Sequence, residues 1–358
     1  MLLYIGLFII TYFIMAHITS QDAIQTINEA MNNLLLGENN DSEETRRNEP
    51  FDLSPIDVVV TRIMLTKGKK LPPSVVDVIF DFAEYWAHSS NEIDFILQQQ
   101  SPLRVNGGSA SENRFLLRSF PIGITGIEGK RDLAEILAYD TTEAKPRPLV
   151  KEHDPLYFAK LVDYPTPKLL HPVRKVVFSI RSKDQGWGGN REDHHTYRGS
   201  WTWFEAGLER FDAEQTCDPL CTYDVRFKSS SSKESPLPVC GLRPLYPSII
   251  PEEENDESKF KYSHPLSHQD KWTIKGNLTA HRQWQDHVVT WSWTDDIQPD
   301  TEAAENLDRN EGRGKATGDG WFVRDLKLGD VITVWAKARF GGWANHVERV
   351  QIDVYWAV

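Results

Sequence analysis

Short runs in which apolar and polar residues alternate dominate the C-terminal half of the chain. A period of two places successive side chains on opposite faces of a strand, and Val, Ile, Thr and Trp favour strands. The sequence therefore predicts a mainly β fold, an antiparallel β-sandwich of jelly-roll type over residues 170–358. The runs that carry this prediction are 176–180, 200–205, 288–294, 331–338 and 350–356.

Upstream of residue 100 the apolar positions recur at intervals of three and four residues, which is the period of an amphipathic helix. One candidate helix lies within 20–37, and a second runs through 71–86, where two prolines suit a helix start. The pattern predicts a small helical region over 20–100. The stretch 101–169 is rich in proline and polar residues and is interpreted as a linker or extended arm.

The first sixteen residues carry no charge. This run is shorter than the roughly 20 apolar residues that span a membrane, and no basic residue precedes it as in a secretory signal. Segment 1–19 is therefore interpreted as signal-like or as a gene-model artefact with translation from Met15. A membrane partner is expected only if residues 1–16 are a real anchor. The predicted location is cytoplasmic or nuclear, with the secretory pathway as the alternative.

The net charge and the number of cysteines restrict the classes of function that the protein can have. The formal net charge of −12 argues against a nucleic-acid partner, because phosphate contact needs a basic face. The three cysteines, Cys217, Cys221 and Cys240, are too few for a disulfide framework and lack the paired spacing of most zinc sites. A single disulfide in a secreted form is an open alternative. No phosphate-binding, dinucleotide or nucleophile motif is present, so no cofactor, metal or catalytic residue is assigned.

Three long motifs carry a family resemblance: DQGWGG, SWTWFE and the C-terminal VWAKARFGGWANHVERV. With them the chain resembles a family of uncharacterised fungal proteins, whose members also tend to carry a segment like LPPSVVDVIFDFAEYW. The resemblance covers about residues 50–90 and 170–358. It implies a fungal origin and a shared fold, and it implies no activity.

Two glycine-rich loops, each with one tryptophan, are the best candidates for a ligand site, because loops carry function more often than strands do. Polar groups beside a tryptophan suit recognition of a sugar by stacking and hydrogen bonding. Asp and Asn in tight turns also bond to their own backbone, so turn chemistry is the competing interpretation. The candidate ligand-binding residues are Trp187, Asp184, Gln185, Asn190, Trp343, Asn345 and His346.

The helix predicted at 71–86 is a candidate docking element. It is similar to the first half of an F-box, in which Leu-Pro precedes an aliphatic-rich helix, but the second half is missing. The resemblance implies the substrate receptor of a ubiquitin ligase; an ordinary amphipathic helix packed on the sandwich is the alternative. The candidate docking residues are Val75, Val78, Ile79, Phe82 and Trp86.

The predicted function is non-catalytic binding. The β-sandwich is expected to recognise a protein or glycan ligand, while the helix docks a partner such as a ubiquitin-ligase adaptor. The alternative is a carbohydrate-active enzyme that pairs Glu205 with Asp184 or Glu348, which requires two carboxylates about 5–10 Å apart in one cleft. A third interpretation is a structural cytosolic protein whose tryptophans all lie in the core.

Overall fold

The computed structural model describes residues 53–124, 141–161, 166–167, 169–215, 239–253 and 256–358. The segment 1–19, the helix predicted within 20–37, and Cys217 and Cys221 lie outside the described residues. Cys240 is disulfide-bonded.

The described residues form twelve strands, all of them paired in antiparallel fashion. The strands are β1 Ala87–Asp94, β2 Leu103–Asn106, β3 Asn113–Arg118, β4 Val173–Lys183, β5 Thr202–Phe211, β6 Leu242–Tyr246, β7 Ser248–Glu253, β8 Asp256–Ser263, β9 Thr273–Gly276, β10 Gln285–Ser292, β11 Val331–Ala338 and β12 Ala344–Trp356.

Short helices connect or flank these strands, and no described helix is long and apolar enough to cross a membrane. The helices are α1 Pro55–Ile63 with a π-helical continuation Met64–Gly68, α2 Pro73–Ala83, α3 Phe95–Gln99, α4 Pro155–Ala159, α5 Glu302–Glu311 and α6 Trp321–Asp325.

Two five-stranded sheets pack face to face. The first sheet has the order β1-β12-β4-β10, with β2 also on β12; the second has the order β3-β11-β5-β6, with β9 also on β5. Strands β7 and β8 form a separate hairpin. The predicted antiparallel β-sandwich is thus confirmed, while the jelly-roll type of connectivity stays a prediction.

Strict alternation builds the core between the sheets. In β5, Phe204, Ala206 and Leu208 face the core, as Val176 and Phe178 do from β4 on the opposite sheet. Burying a Val, Leu or Phe side chain contributes about 1.5–3 kcal/mol relative to exposure. The intervening residues of β5 point to the outer face of the second sheet, yet they are buried as well.

The sandwich also contains strands from upstream of residue 170, where the sequence pattern places its start. β1 pairs with β12 along its whole length, from Ala87 opposite Trp356 to Asp94 opposite Arg349. β3 pairs with β11 at the edge of the second sheet. The region predicted as helix and linker therefore contributes three edge strands, β1 to β3, to the two sheets.

Helices α1 and α2 are fixed to the sandwich by a few side chains. Ser54 caps α1 and accepts a hydrogen bond from the backbone of Asp57, whose carboxylate accepts from Ser54 N in return. Val58 of α1 and Val76 and Phe80 of α2 are buried in the core. The opposite face of each helix consequently points away from the sandwich.

Candidate functional site

The glycine-rich loop around Trp187 and the glycine-rich loop around Trp343 contact each other at one end of the sandwich, which we call the loop end. The Trp187 ring lies against Gly342, where an added Cβ would be 3.2 Å from Trp187 Cη2. The Trp343 ring lies in the same way against Gly189, at 3.6 Å. Gln185 ties the loops together, because its Oε1 accepts a hydrogen bond from Ala344 N at 3.0 Å. The two loops that carry the candidate ligand residues are therefore in contact with each other.

Two of the predicted ligand residues are instead structural. Asp184 is buried and its carboxylate accepts from the backbone N–H of Gly186, Ala280 and His281 at 2.7, 2.6 and 2.9 Å. Burial raises the pKa of Asp184, and these hydrogen bonds oppose the rise. Asn345 is also buried, and its Nδ2 donates to Trp203 O at 3.1 Å. Both side chains shape the loops from within.

The exposed part of this loop end is aromatic. Trp187 is 59 % exposed, and Phe340 is also exposed, with its ring 4.6 Å from that of half-buried Trp201. The hydrophobic pattern does not single out Phe340, although its position directly before Gly341 and Gly342 indicates a loop. Of the remaining candidates, Asn190 is exposed and His346 is half-buried, where burial lowers its pKa.

The second candidate surface is the outward side of α2. Val78 is 68 % and Phe82 76 % exposed, and Val75 is exposed beside them. The other two predicted docking residues face inward. Ile79 packs against the core, and Trp86 is buried, with its Nε1 donating to Asp81 Oδ1 at 3.0 Å. Three of the five predicted side chains are therefore accessible to a partner.

Helix α1 extends this apolar surface, which the candidate docking residues on α2 did not include. An ion pair between Arg62 of α1 and Asp77 of α2 links the two helices next to the exposed side chains. We call these side chains the helix-pair face. It consists of Ile56, Val60, Ile63, Met64, Val75, Val78 and Phe82, all exposed.

The carboxylates of the enzyme alternative do not share a cleft. Glu205 is fully buried on the outer side of the second sheet. Asp184 is buried at the loop end, where its carboxylate accepts a hydrogen bond from Ala280 N. Glu348 pairs with Arg181 at 3.0 Å on the outer side of the first sheet, at the opposite face of the sandwich from Glu205. The geometry thus gives no acid and base pair from these three residues.

Among the described residues, no group of three or more His, Cys, Asp or Glu side chains is placed to hold a metal ion. No protein-family model, no curated protein and no solved structure matches the chain.

Proposed function

We propose that the protein is a non-catalytic adaptor that joins two other proteins. The helix-pair face docks one partner, and the aromatic loop end of the sandwich recognises the other. The observation that carries this proposal is the exposure of Val78 and Phe82 on a helix whose opposite side, Val76 and Phe80, is buried in the core.

The spacing of the exposed side chains fits helix-mediated docking. Val75, Val78 and Phe82 stand at i, i+3 and i+7, the set with which an amphipathic helix contacts an apolar partner. Large apolar patches of this kind, bordered by polar residues, mark interaction sites on soluble proteins.

Charge around the helix-pair face indicates what kind of partner fits. Lys67, Lys69 and Lys70 are exposed at the end of α1 and form no ion pair with a described residue. The acidic residues of α2 are already neutralised, since Asp77 pairs with Arg62 and Asp81 with Arg174. The complementary partner presents apolar side chains beside acidic ones. Together with the half F-box pattern, this favours the adaptor subunit of a ubiquitin ligase.

Changing Val78 and Phe82 together to aspartate in the full chain is expected to weaken binding of a purified ubiquitin-ligase adaptor by about 100-fold or more, since each buried anchor of an interface contributes roughly 2 kcal/mol. Isothermal titration calorimetry measures the affinity. Leu97→Asp is the matched control, because Leu97 is 82 % exposed on α3 and lies outside the helix-pair face. Failure of the wild type to bind, or equal binding by the double variant, contradicts the docking role.

The loop end favours a protein ligand over a glycan. A sugar needs hydrogen-bonding groups beside the aromatic ring. Here the carboxylate of Asp184 and the amides of Gln185 and Asn345 are engaged within the loops. The Trp187 indole is 59 % exposed, and Trp is among the side chains enriched at the energetic centres of protein interfaces.

A photo-crosslinking amino acid in place of Trp187 is expected to capture one defined protein in fungal cells. The same amino acid at Trp321, a partly exposed tryptophan on α6, is the matched control and should not capture it. A glycan array with wild type and Trp187→Ala covers the other ligand class. Array binding that Trp187→Ala abolishes, without a specific protein adduct at position 187, overturns the proposed protein ligand.

A further inference from the structure

One edge of the first sheet is formed by β10, which pairs with β4 and with no other described strand. The register of this pair runs without a shift over the whole of β10. Directly after β10 the same register continues, and Trp293 N donates a hydrogen bond to Arg174 O at 2.9 Å. Bonded and unbonded residue pairs alternate along an antiparallel ladder. The odd-numbered residues of β10 therefore bond to β4, and the even-numbered residues direct their N–H and C=O groups away from it.

Three of these even-numbered residues form a free edge. Asp286, Val288 and Thr290 are exposed, and no described residue bonds to their outward N–H and C=O groups. Ser292 is the next in the series, and Asp295 closes it. Ser292 N donates to the Asp295 carboxylate at 2.9 Å, and Ser292 O accepts from Asp295 N at 3.2 Å. The free edge therefore ends at Thr290.

The other edge strands of the two five-stranded sheets each have a feature that limits pairing with another chain. The register shifts in β3 and in β6, and β6 also contains Pro244. β9 forms backbone hydrogen bonds with residues 312–314, and in β1 His88 N donates to Leu53 O at 3.0 Å. β2 is only four residues long. β10 has eight residues, no proline, no lysine and no shift of register. An edge strand without such protection is a template for another strand.

The free positions of β10 are symmetric about Val288, which makes the edge complementary to itself. In an antiparallel pair of two β10 strands with a two-fold axis at Val288, this residue stands opposite its own counterpart, and Asp286 stands opposite Thr290. Each of these pairs exchanges two hydrogen bonds, so every free N–H and C=O group of the three residues is satisfied. A shift of two residues in either direction leaves one free residue of each copy without a counterpart.

The side chains on the outer face of β10 fit the same register. Val288 is 70 % exposed, and contact with its counterpart buries apolar surface. Arg181 of β4 pairs with Asp286 at 2.5 Å and compensates its charge. Because Asp286 stands opposite Thr290, no like charges meet across the axis, where they would destabilise the pair.

We propose that the protein forms a two-fold symmetric dimer in which β10 of one copy pairs with β10 of a second copy and joins their first sheets into one. The contact is isologous, because both copies contribute the same residues. A strand of another protein can bond to the same edge, but the symmetry of the free residues about an exposed valine favours a second copy. The contact uses no residue of the helix-pair face, so each dimer presents that face twice.

Val288→Pro in the full chain tests the dimer, because it removes the central outward N–H and leaves the hydrogen bonds to β4 in place. Proline is tolerated in an edge strand at such a position. Val288→Thr, which keeps the N–H and the β-branched shape, is the matched control. Sedimentation velocity from about 1 to about 200 µM measures the mass, which we expect to rise in the wild type toward twice the 41.1 kDa of one chain.

The two variants are expected to differ in their dissociation constants. Val288→Pro removes two hydrogen bonds at the axis, one from each copy, and should raise the dissociation constant at least about 30-fold. Val288→Thr should change it by less than about 3-fold. A wild type that is monomeric at every concentration overturns the proposal, and so does a dimer that both variants weaken equally.

Hydrogen exchange on the wild type tests the free edge without any substitution. The amides of Asp286, Val288 and Thr290 should exchange at least about 10-fold more slowly at about 200 µM than at about 1 µM. The amides of Val289 and Trp291, which bond to β4, should exchange equally at both concentrations. Edge amides that are already protected in a monomer would show that a different strand occupies β10, and this result overturns a second copy as the occupant.

Discussion

Replacing Arg118 with methionine is expected to lower the free energy of unfolding by about 3–5 kcal/mol, because removing one partner of a buried ion pair leaves the other charge without compensation. Arg118 on β3 donates to Glu209 on β5 through Nε at 2.7 Å and Nη2 at 3.2 Å. The two side chains are almost completely buried. The guanidinium also lies over the Phe115 ring, 4.9 Å from its centroid. Denaturation in guanidinium chloride measures the loss.

A surface arginine with two acidic partners provides the control for this experiment. Arg181 pairs with Asp286 and Glu348 but is partly exposed, so Arg181→Met should cost less than about 1 kcal/mol. Combining Arg118→Met with Glu209→Gln should recover part of the loss, because no unpaired charge then remains. Equal effects of the two arginine changes would show that burial of the Arg118 pair does not set its contribution.

Acid is expected to destabilise the protein between pH 6.5 and pH 4 through buried neutral histidines. Burial, together with Lys337 and Arg339, lowers the pKa of His264 to about 3. Burial and the nearby Lys275 lower that of His287 to about 4, against the weaker opposite effect of Asp286. Each ring is neutral when folded and takes up a proton on unfolding. Above pH 6.5 this difference in protonation costs no stability. Below pH 6.5 it lowers the free energy of unfolding by about 1.4 kcal/mol per pH unit for each ring.

His287→Phe isolates one of these groups. His287 lies on β10 with its Nε2 buried and without a hydrogen-bond partner, so an apolar ring of similar size fits the position. The variant should lose about 2–3 kcal/mol less stability than wild type between pH 7.5 and pH 4.5. Denaturation curves at both pH values measure this difference. Parallel losses in the two proteins would mean that His287 does not take up a proton on unfolding.

Local pattern predicts the sandwich but not all of its strands. The runs around Val176 and Val331 have the sequence pattern of strands, and they form β4 and β11 as predicted. β1 reads AHSSNEID and has little strand propensity of its own. It becomes a strand because the long β12 offers it a complete edge to pair with. A short stretch of sequence around β1 cannot predict this pairing, because β12 lies more than two hundred residues further along the chain.

Local sequence pattern also does not decide which candidate site residues are exposed. Periodicity identifies α2 as apolar, but the helix is apolar on both sides, so only packing decides that Phe80 faces the core and Phe82 faces solvent. Asp184 and Asn345 have the residue types of a turn and of a ligand site alike, and the fold uses them for the loops.

The adaptor account is tested most directly by one comparison of three full-length proteins: wild type, Val78→Asp/Phe82→Asp, and Trp187→Ala. Each is purified from fungal cells, and quantitative mass spectrometry measures how much ubiquitin-ligase adaptor co-purifies with it, and how much of the protein that the separate crosslinking experiment at position 187 identifies. We expect the helix variant to lose only the adaptor and the loop variant to lose only the second protein. Loss of both partners in either variant, or of neither, would contradict two independent docking surfaces.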